Sequence, residues 1–477
     1  MNEKITQGTT NQSDIPLENG SKLPVEILNR ILNYVLRLPT DKPRCTIYNG
    51  GPSELATAFL PDTSELCIRL LSLRLVCRTW AQVITAMYFY TIELWHSIRV
   101  KTLMDNWSNS IFGLNLTSPV RRLYIRFLWN KELDDSDDED NWFDEDNWFD
   151  EGRKEYPPVT MSQAVRLIEM LGLNLNKVFF HFNLSMGVSP AMVEAFKALK
   201  ELKELGISHL SEPISSRGIY DPQSLADLIT AVPQVESLKL NYWNLKGFEL
   251  GPNALSKLKK FSFAPSSSNI EALTHICKTA KDSLKVIGLS YSNESEDSDS
   301  GTESSFSEDQ LNISTIFEPI KDNLEGCFTK AFNDQISPSV LKMEFSKLRV
   351  FCTWYLSCQD LTLDWLDWRM FQNVRTFVML LKPWERYWKE TLESASVNAF
   401  QKVPNFKHIV FVDHVVQRSP QLVEAFKLRG IQCHYTRTST PEELMVSMNS
   451  VFEQNIIQQY KTQQLMLNLQ IVVGTGL

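Results

Sequence analysis

The chain of 477 residues contains no stretch long and apolar enough to span a bilayer, and its first twenty residues, Met1 to Gly20, are polar rather than signal-like. These absences set membrane insertion and secretion aside and point to a cytoplasmic or nuclear setting. Its eight cysteines form no CxxC pair and no short framework, which excludes a disulfide-stapled scaffold and favours buried thiols in a reducing compartment. No GxxxxGK[ST] phosphate loop, GxGxxG, GxSxG or HExxH occurs. The seven histidines are dispersed, and neither His408 with His414 nor Cys433 with His434 has the spacing of a zinc site. No catalytic residue, metal or cofactor is therefore expected. A basic surplus is missing too: 48 Lys and Arg against 57 Asp and Glu give a net charge of −9. That balance argues against a nucleic-acid partner, which needs a clustered basic surface.

What the chain does have is an ordinary globular composition, 43% hydrophobic and 22% charged, with ample material for a core. From residue 120 on, a short phrase returns: apolar, two residues, apolar, one residue, apolar. It reads Val120-Leu123-Ile125, Leu175-Val178-Phe180, Leu202-Leu205-Ile207, Val235-Leu238-Leu240, Leu258-Phe261-Phe263 and Leu284-Ile287-Leu289. It resumes at Leu348-Phe351-Thr353, Val374-Phe377-Met379, Phe406-Ile409-Phe411 and Leu428-Ile431-Cys433. Between Leu175 and Leu284 the steps are 27, 33, 23 and 26 residues.

The last two apolar positions are two apart, as on one face of a strand. Helical apolar spacing fills the intervals, for example Ala191 to Leu199, Leu225 to Ile229 and Ile270 to Ile276. Each unit thus reads as a strand followed by a helix. The pattern resembles a degenerate leucine-rich repeat, although the consensus Asn after the phrase is mostly absent and Asn241 is its best candidate. The resemblance implies an α/β solenoid with a curved parallel sheet over 96–440.

Residues alternating with the apolar pair should line the concave side. In the first half they are mostly polar, such as Glu204, Ser208 and Lys239. In the second half they turn apolar, including Trp354, Val378, Leu380, Val410 and Val412. A strand apolar on both faces is covered on both. Either a loop or the tail from 441 to 477, as a helical cap, lies over that end, or these five residues bind a partner protein.

Two acidic tracts interrupt the repeats, at 132–151 and 292–309. In the first, Asp-Glu-Asp-Asn-Trp-Phe occurs twice in tandem, at 138 to 143 and 144 to 149. It reads as a solvated loop or as a mobile segment for a basic, apolar surface. In the second, Ser300 and Ser304 sit in an Asp-Ser-Gly-x-x-Ser context, making them candidate phosphosites, with chance the alternative in so biased a segment.

Upstream of the repeats, Pro24 suits a first helical position and Glu26 its positive end. Ile27, Leu28, Ile31, Leu32 and Val35 then form one stripe, and Leu73, Val76, Trp80, Val83 and Met87 form another. Leu23 and Leu75 are apolar surplus that a unit this small cannot bury by itself. Leu23-Pro24-Val25-Glu26-Ile27-Leu28 and Leu73-Arg74-Leu75-Val76-Cys77-Arg78-Thr79-Trp80 resemble the first and last helices of an F-box, within a module at 21–95. Arg37 to Glu65 departs from that pattern as an oversized insertion, at 37–65.

The combined resemblance, to a fungal-type F-box protein with a degenerate leucine-rich-repeat domain, implies a Skp-family adaptor and a cullin-RING ligase as partners. It places adaptor contacts at Leu23, Pro24, Ile27, Leu28, Leu75, Val76, Cys77 and Trp80. The repeats would hold a protein substrate. An assembly role not directed to degradation is left open by the sequence.

Overall fold

A computed structural model describes residues 80, 83, 89–107, 118–130, 157–182, 187–209, 221–242, 244–290, 312–331, 336–355, 363–380, 385–412, 419–436 and 445. The chain divides into two compact units, and the second carries everything from Tyr90 on. Of the module at 21–95, only Trp80, Val83 and the residues from Phe89 on are described. The polar start at 1–20, the insertion at 37–65, both acidic tracts with Ser300 and Ser304, and the tail except Met445 lie outside the described residues.

The recurring phrase becomes a strand each time. In chain order these are β1 (Thr91–Leu94), β2 (Arg122–Trp129), β3 (Val159–Thr160), β4 (Lys177–Phe182), β5 (Glu204–His209), β6 (Ser237–Asn241) and β7 (Lys260–Phe263). They continue as β8 (Val286–Leu289), β9 (Gly326–Ala331), β10 (Val350–Tyr355), β11 (Thr376–Leu380), β12 (His408–Val412) and β13 (Gln432–Thr436). All pair in parallel in one sheet whose strand order is the chain order, and only the two-residue β3 lies off the path, against β2.

The helices between them are α1 (Ser97–Trp107), α2 (Met161–Leu171), α3 (Pro190–Lys197), α4 (Pro222–Thr230), α5 (Ile270–Thr279), α6 (Ser314–Phe317), α7 (Pro338–Leu341), α8 (Glu385–Ser394) and α9 (Pro420–Lys427). Four of them, α3, α4, α7 and α9, start with Pro one residue after Ser or Asp. Pro fits a first turn because its missing N–H would have no helical partner there. At α3 and α4 the Ser189 and Asp221 side chains also accept the N–H of Met192 and Ser224, satisfying orphan donors.

The helices pack on one face of the sheet, through the residues of the phrase itself. Phe180 of β4 meets Phe196 of α3, Phe377 of β11 meets Trp388 of α8, and Phe411 of β12 meets Phe426 of α9. Trp365, in a 3-10 turn at Asp364–Asp367, is buried against Phe377, while Asp367 faces solvent and pairs with Lys402 at 2.7 Å.

Neighbouring units are tied by side-chain amides. Asn174, Gln234, Asn323, Asn373 and Asn405 each stand just before the entering apolar residue of a phrase. Each donates to a backbone carbonyl of the preceding unit, on Ser118, Leu199, Lys281, Phe345 and Gln372, at 2.7 to 3.1 Å. In these five units the tying amide therefore precedes the phrase. Asn241, after it, instead accepts the Ser290 hydroxyl at 2.6 Å.

Three strands differ from the phrase as read. Strand β9 fills the interval after the second acidic tract, with Cys327 and Thr329 in the apolar slots, opposite Ile287 and Leu289 of β8. Strand β1 pairs Ile92 and Leu94 with Leu123 and Ile125, so the sheet begins inside the range read as the N-terminal module. Strand β13 lies two residues later than Leu428-Ile431-Cys433 suggests: Cys433 and Tyr435 pair with Ile409 and Phe411, and Leu428 is 66% exposed.

Candidate docking face

The sheet face turned away from the helices is polar at one end and apolar at the other. At the polar end, one hydrogen-bonded chain crosses four strands. Glu93 on β1 pairs with the Arg126 Nε on β2 at 2.8 Å. The Arg126 guanidinium meets Nε2 of His181 on β4, and His181 Nδ1 lies 2.7 Å from the Ser208 hydroxyl on β5. Arg126 also sits 5.4 Å over the Trp95 ring. A bulge between Ile125 and Leu128 inserts Phe127, at φ 53°, which stacks on His96 and tilts against Trp95 while Leu128 returns to the core.

The charges assign the protons. A guanidinium can only donate, so His181 Nε2 is the acceptor and Nδ1 carries the hydrogen, which goes to Ser208. Ser208 is thus an acceptor and not an activated nucleophile, since a base would have to offer that nitrogen a lone pair. Burial first, and then Arg126 and Lys239, hold the His181 pKa well below 6.5, keeping the ring neutral. Beside the chain, Phe179 lies over Gly206, where a Cβ would collide with the ring, and Lys239 sits 5.1 Å above the same ring.

At the apolar end, Phe328, Val350, Cys352, Val378, Val410 and Val412 form a buried cluster on β9 to β12. Val286, Leu380 and Met445 pack against it. Met445 belongs to the tail read as a possible cap, and its sulfur also closes over Gly326. Of the five residues read as a partner surface, Val378 and Val410 are at most 1% exposed and Val412 is 5% exposed. Leu380 is partly buried, and the side chain of Trp354 lies outside the described residues. Val378, Val410 and Val412 are thus enclosed, as expected where a strand is apolar on both faces of the sheet.

No family model and no curated protein matches this chain.

Next to the cluster, His408 Nδ1 and His434 Nε2 lie 3.3 Å apart across β12 and β13. Burial first, and then the charge of neighbouring groups, lowers both, His434 to about 4. The described residues hold no group of three or more His, Cys, Asp or Glu suited to a metal. Burial drives the thiols of Cys277, Cys327 and Cys352 up, Cys352 to about 12, so they are packed as neutral hydrophobes. No helix among the described residues is long and apolar enough to cross a membrane.

His181, His408 and His434 all take a proton less readily folded than unfolded. The unfolded chain therefore binds more protons below pH 6.5, and stability that is complete above that pH falls as the solution is acidified. Each such histidine can contribute a slope of up to about 1.4 kcal/mol per pH unit. Urea midpoints should drop between pH 7.5 and 5, where most carboxylates stay ionised, and the drop should shrink in His434→Gln. A flat profile over that range would rule this out.

Of the residues read as adaptor contacts, Leu23, Pro24, Ile27, Leu28, Leu75, Val76 and Cys77 lie outside the described residues. Trp80 is helical and half-buried, and Val83, one turn on in the same stripe, is buried.

Proposed function

We propose that the chain is the substrate-recognition subunit of an SCF-type cullin-RING ubiquitin ligase. The N-terminal F-box-like stretches dock a Skp-family adaptor, and the repeat domain, read as a degenerate leucine-rich-repeat solenoid, holds a target protein. The observation that carries this reading is the parallel sheet with strand order equal to chain order, following directly on the Leu23 and Leu73 stretches. An extended row of like units is built to present a long surface to another protein, since each unit contacts only its neighbours.

In this role the chain performs no bond chemistry. It raises the effective concentration of a lysine-bearing target near the charged ubiquitin carrier, in the cytoplasm or nucleus. The enclosed residues around Val378 and Val410 are poor candidates for the target contact, which leaves the polar parts of the sheet and its rims.

Co-precipitation tests the anchor of the proposal. The wild-type chain should capture the adaptor together with the cullin, and Leu23→Ala with Pro24→Ala should weaken capture at least about tenfold, as loss of a central apolar anchor does. A wild-type chain that fails to bind the adaptor removes the reading. Accumulation of a bound protein on loss of the chain separates degradation from an assembly role.

A further inference from the structure

The residue after the entering apolar position of each phrase is charged at almost every unit. Taken along the sheet, the cations of the first half are Arg121, Lys203, Lys259 and Lys285, and those of the second half are Arg349, Arg375 and Lys407. Glu236 and Glu325 occupy two rungs among them. The backbone fixes these positions as one row. The Glu236 N–H donates to the Lys203 carbonyl at 2.8 Å and that of Lys259 to Glu236 at 2.8 Å. The same bond joins Lys285 to Lys259, Arg349 to Glu325, Arg375 to Arg349 and Lys407 to Arg375, at 2.9 to 3.0 Å. Parallel strands lie about 4.8 Å apart, so side chains leave the rim where the strands begin at that pitch.

Ion pairs show that adjacent rungs reach each other. Lys259 binds Glu236 at 2.7 Å, Lys285 binds Glu325 at 2.8 Å, and Arg349 closes on Glu325 from the other side. The hydrogen bond from Lys259, with Lys203 and Lys257 nearby, holds the Glu236 carboxyl below the usual range. Both glutamates are therefore already engaged, and the unspent charge of the rim is positive. Arg375 and Lys407, on neighbouring rungs, are exposed and have no acidic partner among the described residues. A protein with a net charge of −9 thus carries a cationic edge that its total charge conceals.

We infer that this rim docks an acidic polypeptide segment of another protein. A nucleic acid fits less well. Its backbone carries a charge every ~3.4 Å per strand, and it is held by unbroken basic tracts with stacking aromatics. Here glutamates break the row, its longest uninterrupted run is Arg349, Arg375 and Lys407, and no aromatic residue stands on it. Asn130 and Ser290, the last described residues before the acidic tracts, follow the ends of β2 and β8 opposite the rim. The inference stands on the rim alone and holds with or without the adaptor reading.

Fluorescence anisotropy with the full chain and a labelled oligoglutamate peptide tests it. At about 0.05 M salt the wild type should bind, and binding should vanish near 0.5 M, where screening is nearly complete. Arg375→Gln with Lys407→Gln should weaken binding about tenfold, as loss of two charge contacts does. The charge reversals Arg375→Glu with Lys407→Glu should abolish it. Lys197→Gln with Arg386→Gln, exposed cations away from the row, should leave binding unchanged, and circular dichroism melts should agree across the set.

No peptide binding by the wild type overturns the inference, as does equal loss in row and control variants. Tighter binding of an oligothymidylate of the same charge, or self-association abolished by the row variants, replaces the acidic segment with a nucleic acid or a second copy. None of these readouts involves the adaptor, so the two proposals fail separately.

Discussion

Replacing Trp388 with alanine is expected to cost about 3–5 kcal/mol of folding stability, the range for deleting a fully buried aromatic side chain. Trp388 has no exposed surface and stands where three layers of the repeat meet. Its ring contacts Trp365 in the preceding unit, Phe377 and Phe411 on two adjacent strands, and Phe426 on the next helix. Its indole N–H, which needs a partner once buried, faces the Met379 sulfur. The ring therefore joins β11, β12, α8 and α9 at a single point. Denaturant midpoints followed by circular dichroism would report the loss. Trp388→Phe, which keeps most of the contacts, should cost less than half as much. A Trp388→Ala effect below about 1 kcal/mol would mean that the aromatic cluster is not a packed unit.

Glu93→Ala should cost a comparable amount, about 3–5 kcal/mol, by a different route. The Glu93 and Arg126 side chains are only 9% and 10% exposed, so the pair has been withdrawn from water almost completely. Among the described residues, removing the carboxylate leaves a guanidinium that faces only neutral His181 and the Trp95 ring. An unpaired buried charge is far more costly than the pair is stabilising. Combining Glu93→Leu with Arg126→Met should recover most of the loss, because both charges then disappear together. Chemical denaturation of the single and double variants measures the coupling. A double variant as unstable as Glu93→Ala would show that the cost comes from packing around Trp95 and not from the stranded charge.

The strands were legible because their signal is local. Two apolar residues two apart with an entering apolar residue before them are enough to mark a strand that must bury one face, and β2, β4 to β8 and β10 to β12 lie on that phrase. The signal faded where polar atoms can be buried. In β9, Cys327 and Thr329 stand in for leucines, and a long acidic tract separates the unit from its neighbours. In β13 the alternation of Ile431, Cys433 and Tyr435 offers two registers, and only pairing with β12 selects the later one. The tying amides before the phrase, four Asn and one Gln, carried no signal of their own in the sequence.

The Glu93, Arg126, His181 and Ser208 chain had no sequence signature at all. Its members are 33, 55 and 27 residues apart and become neighbours only through strand register. The rim is the intermediate case. Its charged residues occupy one fixed slot of a phrase that was read correctly, but whole-chain charge, dominated by the acidic tracts, masked them.

Strand order equal to chain order has a consequence for how the molecule comes apart. Apart from the short β3, each strand is bonded to its neighbours in chain order, so among the described residues strand pairing supplies no long-range closure of the kind a ring or sandwich has. Nucleation can begin at any unit and spread in both directions, and damage at one unit need not reach a distant one. The two ends are then unequal. The first strand is clamped to its neighbours by a buried charged chain, whereas β13, the last strand among the described residues, has mostly half-exposed side chains and is held by ordinary packing and a pair of neutral rings. Fraying should therefore begin at the C-terminal end and travel inward, stalling at the aromatic knot around Trp388.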